Sequence, residues 1–220
     1  GLVGSEMCIR DRSFIATGGT VLATKLALNY GIACNTAGGS HHATSNEGAG
    51  FCVFNDVAVA AKYLTSRGLA NKILIIDLDV HQGNGNSEIF KNDNQVFTFS
   101  MHSKVNYPAK KSVSDLDIEL EENLEDREYI DILKNNLKYL NEVEFDFVFY
   151  IAGVDIHYND RLGKLKISDN GIFERDELVI DNFFSNKIPI CGVLGGGYNE
   201  DFNKLVELHS SLHKTCAKFL

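Results

Sequence analysis

The stretch "ILIIDLDVHQGNG" (73–85) ends an apolar run in two aspartates and a histidine. Side chains alternate along an extended chain, so Asp77, Asp79 and His81 share one face with Ile73 and Ile75. Leu74, Ile76, Leu78 and Val80 take the other. Two carboxylates and an imidazole crowded at the end of an apolar strand are costly unless a cation joins them. Imidazole and carboxylate are good ligands for zinc-like ions. A second apolar run, "FVFYIAGVD" (147–155), ends in Asp155, which alone would read as a turn residue or cap. Asp79, His81 and Asp155 together predict a three-ligand metal site that leaves room for water and substrate, the catalytic rather than the structural arrangement.

Two further stretches supply groups that could act beside such a metal. "GGSHHATSNEGAGFCVFND" (38–56) places two of the chain's seven histidines, His41 and His42, side by side in a glycine-spaced loop. Imidazole is the usual general acid and base near neutral pH. "GVLGGGYNE" (192–200) ends an apolar strand in three glycines and Tyr198, a close-approach loop that could present a phenol to a polarised oxygen. "HSSLH" sets His209 and His213 four apart but lacks the glutamate of a helical metal-hydrolase motif, so it reads as ordinary surface. His102 and His157 carry no independent signal, and "ELEENLED" (119–126) reads as a solvated acidic stretch.

The elements that must position these groups alternate along the chain. "GGTVLATKLALNY" reads as helix, "GIACNT" as a short strand, and "FCVFNDVAVAAKYLTSRG" as a helix closed by Gly68. "KILIIDLDV" and "QVFTFSM" read as strands around the short helix "NSEIFKN". The helix "REYIDILKNNLKYLNEV", the strand "FDFVFYIAGVD", the helix "DNGIFERDELVIDNFFSN", the strand "IPICGVLGGG" and a last helix from Asp201 follow. Strands that are apolar on both faces and alternate with helices predict an α/β fold: one domain with a single open parallel sheet flanked by helices on both faces. Ligands of such sheets bind beyond the carboxyl ends of the strands, where the proposed site residues fall.

The chain has 220 residues, 44% hydrophobic, with a net charge of −9. That balance argues against nucleic acid as a partner and favours cationic substrates. No apolar run is long enough to span a bilayer, so no membrane association is expected. Five cysteines without paired spacing suit reduced thiols and a cytoplasmic location. "GLVGSEMCIRDRS" (1–13) shows no helical or strand period and reads as a foreign or disordered leader, leaving residues 14–220 as the domain.

With "GGSHHA", "GFCVFND", "DLDVHQGNG", "AGVD…DRLG" and "GGGY" in this order, residues 18 to about 218 resemble the histone deacetylase superfamily. "DLDVHQGNG", "NYPAKK" and "DRLGKLKIS" look closest to its class IV-like branch. The resemblance implies the arginase/deacetylase fold and zinc-dependent hydrolysis of an acylated amine, typically acyl-lysine. Another divalent metal such as Fe2+ is compatible. It makes Asp79, His81 and Asp155 the zinc ligands, His41 and His42 the paired imidazoles beside the attacking water, and Tyr198 the donor to the substrate carbonyl. Gly50 and Gly196 would contact substrate through backbone, and Phe51, Tyr107 and Leu162 would line a tunnel for the aliphatic stem. Asp77 would orient His41 and, with Ser100 and the Met101 carbonyl, hold a monovalent cation, K+. Asn84 stands where many members carry an aspartate behind the second histidine. The family domain also begins well upstream of Gly18, which implies that early sheet elements and a rim loop are missing. Acetylpolyamine or another small amide is the alternative substrate, and an inactive truncated fragment the non-enzymatic alternative.

Overall fold

A computed structural model describes residues 3–219. Six strands form one parallel sheet in the order β1-β6-β5-β2-β3-β4. They are β1 (Ile32–Cys34), β2 (Ile73–Asp77), β3 (Val96–Ser103), β4 (Leu116–Leu120), β5 (Phe147–Ile151) and β6 (Ile190–Val193). Helices α1 (Val3–Tyr30), α2 (Asp56–Ser66), α3 (Asn84–Phe90), α4 (Asp126–Leu140), α5 (Asp169–Ser185) and α6 (Phe202–Cys216) connect and cover them.

The two faces of β2 show why the sheet is buried on both sides. Ile73 and Ile75 enter a core with Ala23 and Ala27 of α1 and Val57, Ala60, Ala61 and Leu64 of α2. Leu74 and Ile76 enter the opposite core with Tyr129, Leu133 and Leu137 of α4, Ile172, Val179 and Phe183 of α5, and Leu208 and Leu212 of α6. All five residues of β2 and of β5 are buried. An alternation of two apolar faces is the pattern of a sheet wrapped by helices on each side.

Three boundaries differ from the sequence expectation. β4 was not expected; it occupies the sheet edge, where Leu116, Ile118 and Leu120 alternate with Asp117 and Glu119, so its acidic face looks like a solvated loop in sequence. α2 starts at Asp56 rather than Phe51, because the Asn55 side chain accepts the Ala58 N–H and caps it. α1 runs back to Val3, so residues 3–13 are helical rather than disordered. Ile9, Phe14 and Ile15 are exposed on it, which explains why the stretch shows no amphipathic period. Residues 1 and 2 of the expected leader lie outside the described residues. Among the described residues, no helix is long and apolar enough to cross a membrane.

Candidate active site

The strand order puts β2 and β5 side by side at the centre of the sheet, with Asp77 of β2 level with Ile151 of β5. The ladder stops there. Beyond it, backbone N–H groups turn to carboxylates: Asp79 N donates to Asp77 Oδ1, His81 N to Asp79 Oδ1, and Val80 N to Asp155 Oδ1. Asp79 and His81 therefore lie past the strand end rather than on it, yet they converge with Asp155 as the side-chain alternation suggested. Ligand atoms of Asp79, His81 and Asp155 all lie within 4.8 Å of one another, and all three residues are buried. His81 Nδ1 is 3.0 Å from both Asp79 Oδ1 and Asp155 Oδ2.

Two glycines close this cluster from behind. A Cβ on Gly153 would come within 2.3 Å of Asp79 Oδ2, and one on Gly196 within 2.2 Å of Asp155 Oδ2. Gly196 N donates to Asp79 Oδ2. Gly196 thus braces Asp79 and is not among the residues lining the cavity over the cluster. The charges of the cluster fit a cation. Asp77, Asp79 and Asp155 are three buried carboxylates facing two imidazoles, His41 and His81. With both rings protonated, three ionised carboxylates would still leave one negative charge, which a low-dielectric interior meets with a proton or a bound cation. Burial, with the Asp79 charge beside it, pushes the Asp155 carboxyl up to about 7. A divalent ion would satisfy the same two oxygens and one nitrogen.

The two histidines that follow β1 sit beside this cluster, their ring centroids 4.0 Å apart. Their loop is pinned by Asp56, which accepts the Gly39 and Ser40 N–H groups and the Thr20 hydroxyl. Asn55 holds the other side by donating to Ala43 O and Asn86 Oδ1. His41 Nδ1 donates to Asp77 Oδ2 at 2.6 Å, and His42 Nδ1 to Asn84 Oδ1 at 2.7 Å. These partners separate the rings. Burial opposes charge on His41, but the carboxylates of Asp77 and Asp79 outweigh it and hold the ring up at about 9. Burial and the neighbouring His41 charge push His42 down to about 3.

A cavity of about 400 Å³ opens over the site, lined by His42, Gly50, Phe51, His81, Val105, Asn106, Tyr107, Leu162 and Tyr198. The expected tunnel residues Phe51, Tyr107 and Leu162 and the expected substrate contact Gly50 line it, and Gly196 does not. Gly50 has φ +51, and a Cβ there would strike His42 Cδ2 at 2.3 Å, so the wall approaches the ring only because position 50 is glycine. Phe51 is 88% exposed, an aromatic face with no protein covering it. The Tyr198 and His81 rings stand edge to face, centroids 6.2 Å apart. Burial, then the Asp79 and Asp155 charges, raise the Tyr198 phenol, which keeps it a protonated donor. Ser100 is the register partner of Asp77 on β3, and its hydroxyl accepts the Gly83 N–H. His102, given no role from sequence, is buried beside it, with Nδ1 2.9 Å from Ser100 Oγ.

Three positioning groups escaped sequence reasoning. Asp160 accepts N–H groups of Leu162, Gly163 and Tyr198, tying the tunnel wall to the tyrosine. Asn106 donates to Leu162 O from the cavity wall. Arg175 of α5, fully buried, donates to Gly153 O, Ala152 O and Leu78 O, the carbonyls beside the metal-cluster aspartates. Asp160 and Asn106 lay in motifs that sequence had singled out, as the first residues of "DRLG" and "NYPAKK", but neither was given a role there.

Comparison with known proteins agrees with this geometry. An uncharacterized protein of Picosynechococcus sp. is 50% identical over 205 residues, covering 93% of this chain and 68% of that protein. Histone deacetylase 2 of Arabidopsis thaliana is 36% identical over 194 residues, covering 86% and 50%. The crystal structure of an HDAC homolog from Aquifex aeolicus superposes with a TM-score of 0.78 at 28% identity, covering 95% of this chain and 57% of that one. The chain therefore spans between half and about two thirds of the length of these proteins. The histone deacetylase domain profile matches residues 7–212, and the chain belongs to that family.

Proposed function

We propose that this chain carries the site of a zinc-dependent amidohydrolase that removes acyl groups from lysine side chains. The observation that supports it best is the single cavity onto which His42, His81 and Tyr198 open beside Phe51, Tyr107 and Leu162. The apolar part of its lining suits an aliphatic stem, and the polar groups at its side would meet the amide. The net charge of −9 favours basic peptides as substrates.

Asp79, His81 and Asp155 would hold the divalent ion, zinc or Fe2+. When bound, it would polarise the amide carbonyl and make water more acidic. The chain's own residues do the rest. Asn84 Oδ1 can only accept, so His42 Nδ1 carries the proton and Nε2 keeps a free lone pair. His42 Nε2 takes the proton of the attacking water and passes it to the leaving amine. His41, paired with the Asp77 carboxylate, stays charged and stabilises developing negative charge. The Tyr198 hydroxyl donates to the carbonyl oxygen and holds it as its charge grows. The Gly50 backbone receives the substrate amide, and Phe51, Tyr107 and Leu162 enclose the stem. Asp77, Ser100 and the Met101 carbonyl form the place for a K+ ion, supported by the register pairing of Asp77 with Ser100. Five unbridged cysteines support a reducing, cytoplasmic location.

The test compares zinc-loaded protein on a fluorogenic acetyl-lysine peptide and on acetylspermidine. Faster turnover of the peptide is expected. Preference for acetylspermidine would replace the substrate class while keeping the chemistry. Metal binding without turnover of either would make the chain an inactive fragment.

A further inference from the structure

Sequence spacing pairs none of the five cysteines, yet the fold brings two together. Cys34 ends β1 and Cys216 ends α6, and their Sγ atoms lie 2.6 Å apart although the residues are 182 positions apart in sequence. That is well inside van der Waals contact. A disulfide bond is about 2.05 Å, so the two sulfurs need to close by only roughly half an ångström. The packing that brings them together depends on Gly192, the register partner of Cys34 on β6. A Cβ there would press on Leu212 Cδ1 at 3.0 Å, so glycine lets α6 settle onto the sheet edge.

The surroundings also suit sulfur chemistry. Cys34 is half-buried and Cys216 buried. The Cys216 thiol donates to Cys34 and, with His213 one turn earlier on α6 adding to it against the cost of burial, holds the Cys34 thiol down at about 6. Cys216 is raised in turn by the same contact. The pair is thus a half-buried thiolate next to a buried, retained thiol, the arrangement of an attacking and a resolving cysteine.

We propose that Cys34 and Cys216 are a reversible redox pair, which a hydroperoxide converts into a disulfide that staples β1 to α6. The Cys34 thiolate attacks the outer peroxide oxygen. A sulfur–oxygen bond forms, the oxygen–oxygen bond breaks, and the alkoxide or hydroxide leaving group takes a proton from water. Cys216 then gives its proton to water and attacks the Cys34 sulfur. The sulfur–sulfur bond forms and the sulfenic oxygen leaves as hydroxide, which is reprotonated to water. Two thiols have supplied two electrons, and the peroxide has become water and an alcohol, or two waters. The staple joins the strand that leads into His41 and His42 to the helix that follows Tyr198.

The test treats the reduced chain with hydrogen peroxide and reads intact mass, a digest after thiol blocking, and the unfolding midpoint. The expected product has lost two hydrogens and gained no oxygen. Its digest contains one cross-linked pair joining Cys34 to Cys216, dithiothreitol restores both thiols, and the midpoint rises because a long loop is closed. Cys216→Ser should stop at a sulfenic acid on Cys34 that dimedone traps. Cys34→Ser should leave Cys216 open to alkylation. Oxygen added at both cysteines without a cross-link would overturn the proposal. So would a cross-link from either to Cys191, or oxidation of Cys8 and Cys52 while Cys34 and Cys216 still alkylate. An unchanged or lowered midpoint in the cross-linked protein would overturn the staple.

Discussion

Arg175 offers the sharpest test of how the fold holds the site. Its guanidinium is fully buried and pairs with Asp176 Oδ1 through Nε at 3.0 Å and Nη2 at 2.8 Å. The Tyr150 hydroxyl donates to the same oxygen at 2.6 Å. The remaining guanidinium protons go to the carbonyls of Gly153, Ala152 and Leu78. Those carbonyls lie within two positions of Asp79 or three of Asp155, where β2 and β5 have left their ladder. Arg175→Met keeps most of the side-chain volume, so packing loss is small. It leaves a buried carboxylate without its cation and three carbonyls without a donor. Breaking a buried ion pair from one side costs about 3–5 kcal/mol. For a chain of this size that corresponds to a drop in unfolding midpoint of about 6–20 °C.

The double variant Arg175→Met with Asp176→Leu separates the ion pair from the carbonyl contacts. Removing the stranded carboxylate should recover about 2 kcal/mol relative to the single variant, because an apolar replacement of both partners avoids the charge burial. The carbonyl contacts stay lost, so metal affinity should remain reduced in both variants. Urea unfolding of wild type, both singles and the double, with zinc titration of each, supplies the cycle. A single Arg175→Met variant that loses less than about 1 kcal/mol would refute the buried-pair reasoning. Strictly additive singles would refute it as well, since independent sites do not couple.

The remaining predictions concern the proposed chemistry. Asp79→Asn or His81→Ala should lower zinc content sharply by elemental analysis, and unchanged metal in both would remove the ligand assignment. Tyr198→Phe should keep zinc and fold but lower turnover by about 100- to 1000-fold, as loss of one oxyanion donor typically does. His42→Ala should abolish turnover with zinc retained, and His41→Ala should impair it less. If His42 is the base, turnover rises with pH as its ring loses its proton, and Asn84→Asp should shift that limb to higher pH, because a carboxylate favours the imidazolium. A limb that stays in place in Asn84→Asp would reverse the division between the two rings.

The parts of this architecture that sequence reveals are those where one pattern has one meaning. β2 and β5 are buried at every position, and all of β2 but the closing Asp77 is aliphatic, so both belong inside a two-faced sheet. The site motifs follow strand ends, so their convergence is a consequence of parallel strands that all point their carboxyl ends the same way. β4 hides for the opposite reason. An edge strand with one wet face alternates acid and apolar residues, and "LDIEL" runs directly into the acidic stretch that follows. The branch within the family rests on three short stretches alone, whereas the family rests on five motifs in order.

Several of the hidden groups share one physical character. Asp56, Asp160 and Arg175 act by binding backbone groups, and the partners of a backbone contact have no residue type to search for. In sequence, Arg175 in "FERDELV" reads as one more charge on an amphipathic helix, because the exposed and the buried charge are written with the same letter. Only its environment distinguishes them: five hydrogen bonds converge where a solvated arginine would have water. Cys34 and Cys216 are concealed by distance, as contact across 182 positions depends on the whole sheet order. The His41 and His42 pair lies between these cases. The adjacency is legible, but the difference in behaviour arises from Asp77 and Asn84, which reach the rings from β2 and from the start of α3. The difference between two identical neighbours is therefore set by β2 and α3, not by the loop that carries them, and exchanging Asn84 for aspartate should make the rings more alike without moving either one.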